Sequence, residues 1–180
     1  RAARAGVEAG VLIDPRRRRF LRGRFGAVRE PVVAPPRPPW ALAEPEFLAA
    51  CTRCGDCVRA CPRALLAKGE GGYPVVSFAS KGCDFCGACD KVCVPRAIDR
   101  SRAATAWNWK AVVDGRCLAE QRVECRVCAD ACDARAIRMV PEVGGVAKPK
   151  VDASACTGCG ECKAPCPTGA IHLIDPPAAT

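Results

Sequence analysis

The chain has 180 residues, enough for one ordinary domain or two very small ones, and 16 of them are Cys. Strictly repeated short Cys spacings argue for metal rather than a disulfide scaffold, and three Trp, five Phe and one Tyr are few for an aromatic core. A formal charge of +9 would ordinarily raise nucleic acid or a membrane surface as a partner, but thiolate ligands remove that ground: four oxidised cubane clusters lower the charge by about 8, to about +1.

Residues 1–44 read as a basic, proline-rich arm. Residues 1–50 hold ten Arg against five acidic residues, net +5, while the rest becomes about −4 once clusters are counted. Within the arm, Arg16, Arg17, Arg18, Arg19, Phe20 and Leu21 have the look of a twin-arginine export signal. Such a signal needs an apolar segment of roughly 7 to 15 residues after its charges. Arg22, Arg24, Arg29, Pro31, Pro35 and Pro36 interrupt every candidate, so an arm retained on the protein is preferred over a decayed signal. The arm is then either a solvated charged tail or a docking element for a protein or peptide. Nothing approaches the roughly 18 apolar residues of a membrane span, and a soluble chain is expected. The chain opens on Arg1 rather than Met, which fits an unusual extension or a fragment.

Four cysteine groups follow. Cys51, Cys54, Cys57 and Cys61 form the first, Cys83, Cys86, Cys89 and Cys93 the second, and Cys156, Cys159, Cys162 and Cys166 the last, all spaced C-x2-C-x2-C-x3-C. The third is stretched: Cys117 comes from a longer loop before Cys125, Cys128 and Cys132. The residues after each group repeat too, as "PRALL", "VPRAI", "DARAI" and "PTGAI", the mark of one unit copied four times. Five positions past each fourth cysteine stands Leu66, Ile98, Ile137 or Ile171, expected to pack over the clusters.

Three cysteines on a tight loop can offer sulfur to three corners of one cubane, with Gly55, Gly87, Gly158 and Gly160 favouring the turns. In the two-cluster ferredoxin pattern the fourth cysteine serves the other cluster. Pairing neighbours gives a unit over 45–100 and another over 112–176, joined by a linker at 101–111. The first would place Cys51, Cys54, Cys57 and Cys93 on one cluster and Cys61, Cys83, Cys86 and Cys89 on the other. The second would place Cys117, Cys125, Cys128 and Cys166 on one and Cys132, Cys156, Cys159 and Cys162 on the other. The fold class expected is small α+β: tandem bacterial-type two-cluster ferredoxin units stapled by [4Fe-4S] clusters, four in all and at least three, behind a disordered arm. Such small units depend on the clusters, so the apo chain should be largely unfolded.

Strand-like pieces lie at 73–78 and 146–152, and 136–140 and 170–174 could pair with them. Short helices are expected to start at or just before each fourth cysteine. Structural zinc is the weaker alternative, because zinc knuckles need no third cysteine in series. His172, Met139, Trp107 and Trp109 read as structural. No nucleophile–base pair or phosphate loop is present, so enzyme chemistry is not expected.

These residues resemble a known family, the NapF ferredoxin-type accessory proteins of the periplasmic nitrate reductase system. The resemblance lies in "DPRRRRFLRGRF" at 14–25, "RPPW" at 37–40, "GEGGYPVVSF" at 69–78 and "CLAEQRVECRVCADAC" at 117–132. It implies a cytoplasmic protein that binds the nitrate reductase catalytic subunit before export and assists its [4Fe-4S] cluster assembly. That client carries a real twin-arginine signal, so the arm, Arg16 to Leu21, would help in docking. The irregular third group would be the labile site. A polyferredoxin relaying electrons is the alternative. Val94 and Asp133 stand where the ferredoxin pattern usually has proline, which puts the local geometry after Cys93 and Cys132 in question.

Overall fold

The computed structural model describes residues 35–102 and 105–176; Arg16, Arg17, Arg18, Arg19, Phe20 and Leu21 lie outside the described residues. The backbone is a succession of tight turns, short helices and two-stranded antiparallel sheets. Helices α1 (Glu44–Ala50) and α2 (Asp56–Ala60) lead into the hairpin of β1 (Leu66–Lys68) and β2 (Pro74–Val76), followed by α3 (Ala88–Lys91). After β3 (Lys110–Val113) come α4 (Val127–Asp130), β4 (Ile137–Val140), β5 (Lys148–Val151) and β6 (Ile171–Ile174).

The four repeated apolar residues organise this arrangement. Leu66 pairs with Val76, Ile137 with Val151, and Ile171 with Val113, while Ile98 makes an isolated bridge to Ala41. Each therefore begins a cross-strand contact just after a fourth cysteine, and each is buried, between 1% and 6% exposed. Removing such a side chain from water contributes roughly 1.5–3 kcal/mol.

The pairing moves two boundaries. The linker, expected to run to 111, gives up its end to β3, because the last strand of the second unit needs a partner and takes one from just before Cys117. The arm, expected to run to 44, ends before "RPPW". Trp40 is buried, its N–H donates to the Ala106 carbonyl at 3.0 Å, and its carbonyl accepts from Asp99 N–H at 2.9 Å. Leu42 N–H donates to Ala97 O at 3.0 Å, so residues 37–44 close the first unit as β3 closes the second.

The helices also differ from expectation. Those of the first three groups start five positions before the fourth cysteine and end ahead of it, carrying the third cysteine of each group: Cys57, Cys89 and Cys128. The last group makes turns only. Cysteine is a large part of what is buried, since Cys57 and Cys89 share a core with Phe47, Trp40 and Ile98, and Cys128 and Cys162 share one with Ile137 and Ile171.

The linker packs on the first unit through an aromatic seam. Trp107 and Trp109 stack at 4.8 Å, and Phe78 meets them edge-on at 5.9 and 6.1 Å. Phe85 packs on Trp107 at 5.8 Å and Trp40 on Phe85 at 6.2 Å. Both linker tryptophans are thus packing residues, and Met139 lies against the small core of Cys117, Ala119 and Ala170.

Candidate metal centres

Each group places its cysteines by the same local devices. In the regular groups a turn carries the first two, and in all four a short helix or turn carries the third before the chain doubles back so that the fourth faces elsewhere. In the stretched group Cys117 sits on a turn after β3, with its N–H on the Asp114 carbonyl at 3.1 Å. The extra loop closes on itself, Gln121 N–H donating to Cys117 O and Val123 N–H to Leu118 O. Lengthening therefore leaves Cys117 anchored and buried.

Four cavities result, each lined by four cysteines. Cys51, Cys54, Cys57 and Cys93 line one, and Cys61, Cys83, Cys86 and Cys89 another. Cys117, Cys125, Cys128 and Cys166 line a third, and Cys132, Cys156, Cys159 and Cys162 a fourth. The fourth cysteine of every group lies in the cavity of the partner group. The stretched group contributes to a four-cysteine hollow just as the regular ones do.

Burial and thiol neighbours set the electrostatics. Burial pushes the Cys57 thiol up to about 11, with Cys51, Cys93 and Cys54 adding to the rise. It raises Cys89 to about 12, helped by Cys83, and Cys162 to about 12, helped by Cys159, Cys132 and Cys156. Cys83 and Cys128 are raised to about 11, again chiefly by burial. Thiolates are disfavoured in such hollows unless iron supplies compensating positive charge.

Sulfur also receives directed amides. Leu65 N–H donates to Cys61 Sγ at 3.4 Å, Ile98 N–H to Cys93 Sγ at 3.4 Å, and Ala136 N–H to Cys132 Sγ at 3.3 Å. In every group the residue three positions past the fourth cysteine turns the chain left-handed, with φ of 52° at Ala64, 56° at Arg96, 51° at Arg135 and 62° at Gly169. That turn aims the next amides back at the sulfur. Burial alone would raise Cys166, but the Thr168 hydroxyl and the amides of Ala170, Thr168 and Ile171 outweigh it and hold the thiol below its ordinary value. Val94 and Asp133 leave the left-handed turn in place: the amide bond to Cys132 comes from four positions on, as it does after the Cys-Pro step at Cys61, while at Cys93 it comes one residue later, from Ile98.

The donor set fits cubane clusters. Four sulfurs surround each hollow, and N–H groups point at sulfur as they do where an iron–sulfur centre is stabilised. Among the described residues no three His, Cys, Asp or Glu side chains converge as a single-ion site, unlike zinc with its sulfurs about 2.3 Å from one ion. The remaining conspicuous residues lie apart. His172 Nε2 sits 2.8 Å from Asp114 Oδ2, tying β6 to the turn after β3, which is a structural role. The left-handed turn was not legible in the sequence at Ala64, Arg96 or Arg135; only Gly169 signals it by residue type.

Known proteins share this pattern. The 4Fe-4S dicluster domain family matches residues 50–98 and 121–170. The ferredoxin-type protein NapF of Escherichia coli K12 is 41% identical over 159 residues, covering 88% of this chain and 94% of that protein. NapF of Haemophilus influenzae is 41% identical over 165 residues, 88% and 93% of the two chains. The methylamine utilization ferredoxin-type protein MauM of Paracoccus denitrificans is 37% identical over 157 residues, 77% and 70% of the two. No solved structure matches. Two dicluster domains, sixteen converging cysteines and near full-length identity agree, and the chain belongs to the NapF family of ferredoxin-type iron–sulfur proteins.

Proposed function

We propose that this chain is a cytoplasmic iron–sulfur accessory protein that holds four [4Fe-4S] clusters, one in each four-cysteine hollow. In this reading it binds the catalytic subunit of the periplasmic nitrate reductase before export and assists assembly of that subunit's [4Fe-4S] cluster. It performs no reaction on an organic substrate. The observation that carries the assembly reading is the exposure of Cys54 and Cys86, which opens one hollow of the first unit and its neighbour to a partner. In the stretched third group, by contrast, Cys117 and Cys128 are buried and Cys125 is half-buried. Burial thus makes the first unit, rather than the third group, the better-placed source of a transferable cluster.

Partner docking is assigned to Arg16, Arg17, Arg18, Arg19, Phe20 and Leu21, and replacement of the four arginines by Ala should weaken binding to the precursor. Unchanged or salt-insensitive affinity would reject that role. The deciding experiment for function is the iron and acid-labile sulfide content of the catalytic subunit purified from cells lacking this protein. A subunit without its cluster supports assembly.

A second reading, a polyferredoxin relay, is favoured by the direct backbone contact between Cys83 and Cys159 of different units. A catalytic subunit that has its full cluster but turns over slowly in the cell would support it.

A further inference from the structure

The two dicluster units touch where a side chain has no room. A Cβ on Gly82 would overlap the Glu161 backbone nitrogen and lie 2.8 Å from the Cys159 carbonyl oxygen. One on Gly158 would lie 2.6 Å from the Trp109 carbonyl oxygen, and one on Gly160 would enter the Phe78 ring. Backbone is therefore pressed on backbone, and at this point Cys83 N–H donates to Cys159 O at 2.8 Å. Arg63 straddles the junction, donating from Nε to Gly82 O at 3.1 Å and pairing with Glu161.

Both cysteines in this contact line hollows. Cys83 belongs with Cys61, Cys86 and Cys89, and Cys159 with Cys132, Cys156 and Cys162. Within the first unit, Cys57 of one hollow and Cys89 of the other lie in one buried core. Within the second, Cys128 and Cys162 do the same. Contacts thus connect the hollows in the order Cys57, Cys83, Cys159, Cys128.

We propose that the Cys83–Cys159 contact is an electron bridge that joins the two units into one four-centre line. The inference rests on the reading that each hollow holds a [4Fe-4S] cluster. The route runs from Cys83 Sγ through its Cβ, Cα and N–H, across the hydrogen bond, and through the carbonyl carbon, Cα and Cβ of Cys159 to its Sγ. One electron leaves a reduced 1+ cluster on one side, which becomes 2+, and enters an oxidised 2+ cluster on the other, which becomes 1+. No bond forms or breaks and no proton moves. Phe78 and Trp109 pack against Gly160 and Gly158 beside the junction.

The test is electron paramagnetic resonance on the full-length holoprotein reduced with dithionite. The wild type should show magnetic coupling that links centres across both units. Glu161→Arg sets like charges against Arg63, and the spectrum should become the sum of two separate two-cluster units, with iron and acid-labile sulfide unchanged. Arg63→Glu combined with Glu161→Arg restores the ion pair and should restore the coupling. A wild-type spectrum that is already the sum of two independent units overturns the bridge, as does coupling that persists in both Glu161→Arg and Gly82→Val. Iron short of four clusters in the wild type would instead overturn the cluster reading beneath it, which keeps the two failures distinct.

Discussion

Arg37 grips Glu44 with two donors, Nη2 to Oε1 at 2.6 Å and Nε to Oε2 at 2.9 Å, while its guanidinium lies 4.8 Å from the centre of the Phe47 ring. Its Nη1 also donates to the Pro74 carbonyl at 3.2 Å, so one side chain ties the entering "RPPW" segment to α1 and β2. Phe47 is completely buried beneath it. Arg37→Ala should cost about 1–3 kcal/mol, read as an earlier midpoint for loss of visible cluster absorbance in guanidinium.

The same pair has a defined pH dependence. The Arg37 hydrogen bond holds the Glu44 carboxyl below its usual range. Its folded-state pKa is depressed, so the stabilisation is fully present above the unfolded value, about 4.3, and is lost as pH falls through the folded value. The stability gap between wild type and Arg37→Ala should therefore shrink on acidification below about pH 4.3. A gap independent of pH would assign the whole effect to packing over Phe47 and Tyr73.

Crosswise ligation predicts which cysteine substitutions share an effect. Cys93 lines the hollow of Cys51, Cys54 and Cys57 rather than that of its own group. Cys93→Ser and Cys57→Ser should each disturb one cluster, and the double variant the same one, a non-additive result. Cys93→Ser with Cys89→Ser should disturb two. Iron content and cluster absorbance of the four proteins check this, and equal losses in both double variants would rule out the crosswise arrangement.

The cysteine spacing made the four hollows and their crosswise partners legible, because three sulfurs on one tight loop leave a fourth corner that only another segment can reach. Leu66, Ile98, Ile137 and Ile171 were equally legible as repeats. Besides the left-handed turns, three features were not. Trp40 and Arg37 looked like part of a basic arm because Pro and Arg dominate their neighbourhood, although Trp40 is buried by contacts with residues near 98 and 106 that are remote in sequence. The strand Lys110–Val113 lay hidden in an apparent linker, since its partner is about sixty positions away. Helix starts were misplaced because the turn before each helix, not the proline after it, sets where the helix begins.

The left-handed turn after each fourth cysteine offers a stability test. An L-residue with a Cβ in this conformation costs about 1–2 kcal/mol, a cost glycine avoids. Arg135, exposed and left-handed, should therefore become more stable as Gly, and Gly169→Ala should lose about 1 kcal/mol. Both are read from the denaturant midpoint of cluster loss. If Arg135→Gly leaves that midpoint unchanged, the turn is held by the amide bond to Cys132 Sγ strongly enough to mask the backbone term.

Removal of iron should unfold the chain. Cysteines 57, 89, 117, 128 and 162 are among its buried residues, and the sheets have only two strands each, too few for independent stability without a packed face. Without iron the hollows keep thiols that burial has raised to about 11 at Cys57 and about 12 at Cys162, and no cluster spans the two groups of a unit. An iron chelator under reducing, anaerobic conditions should abolish near-ultraviolet dichroism and slow-exchanging amides, and anaerobic reconstitution with iron and sulfide should restore both. Because the thiolate is the ligating form, reconstitution should release protons and proceed less completely as pH falls. Retention of slow-exchanging amides at Leu66, Ile98, Ile137 and Ile171 in the iron-free chain would mean that the apolar contacts suffice alone, and the staple role of the clusters would have to be abandoned.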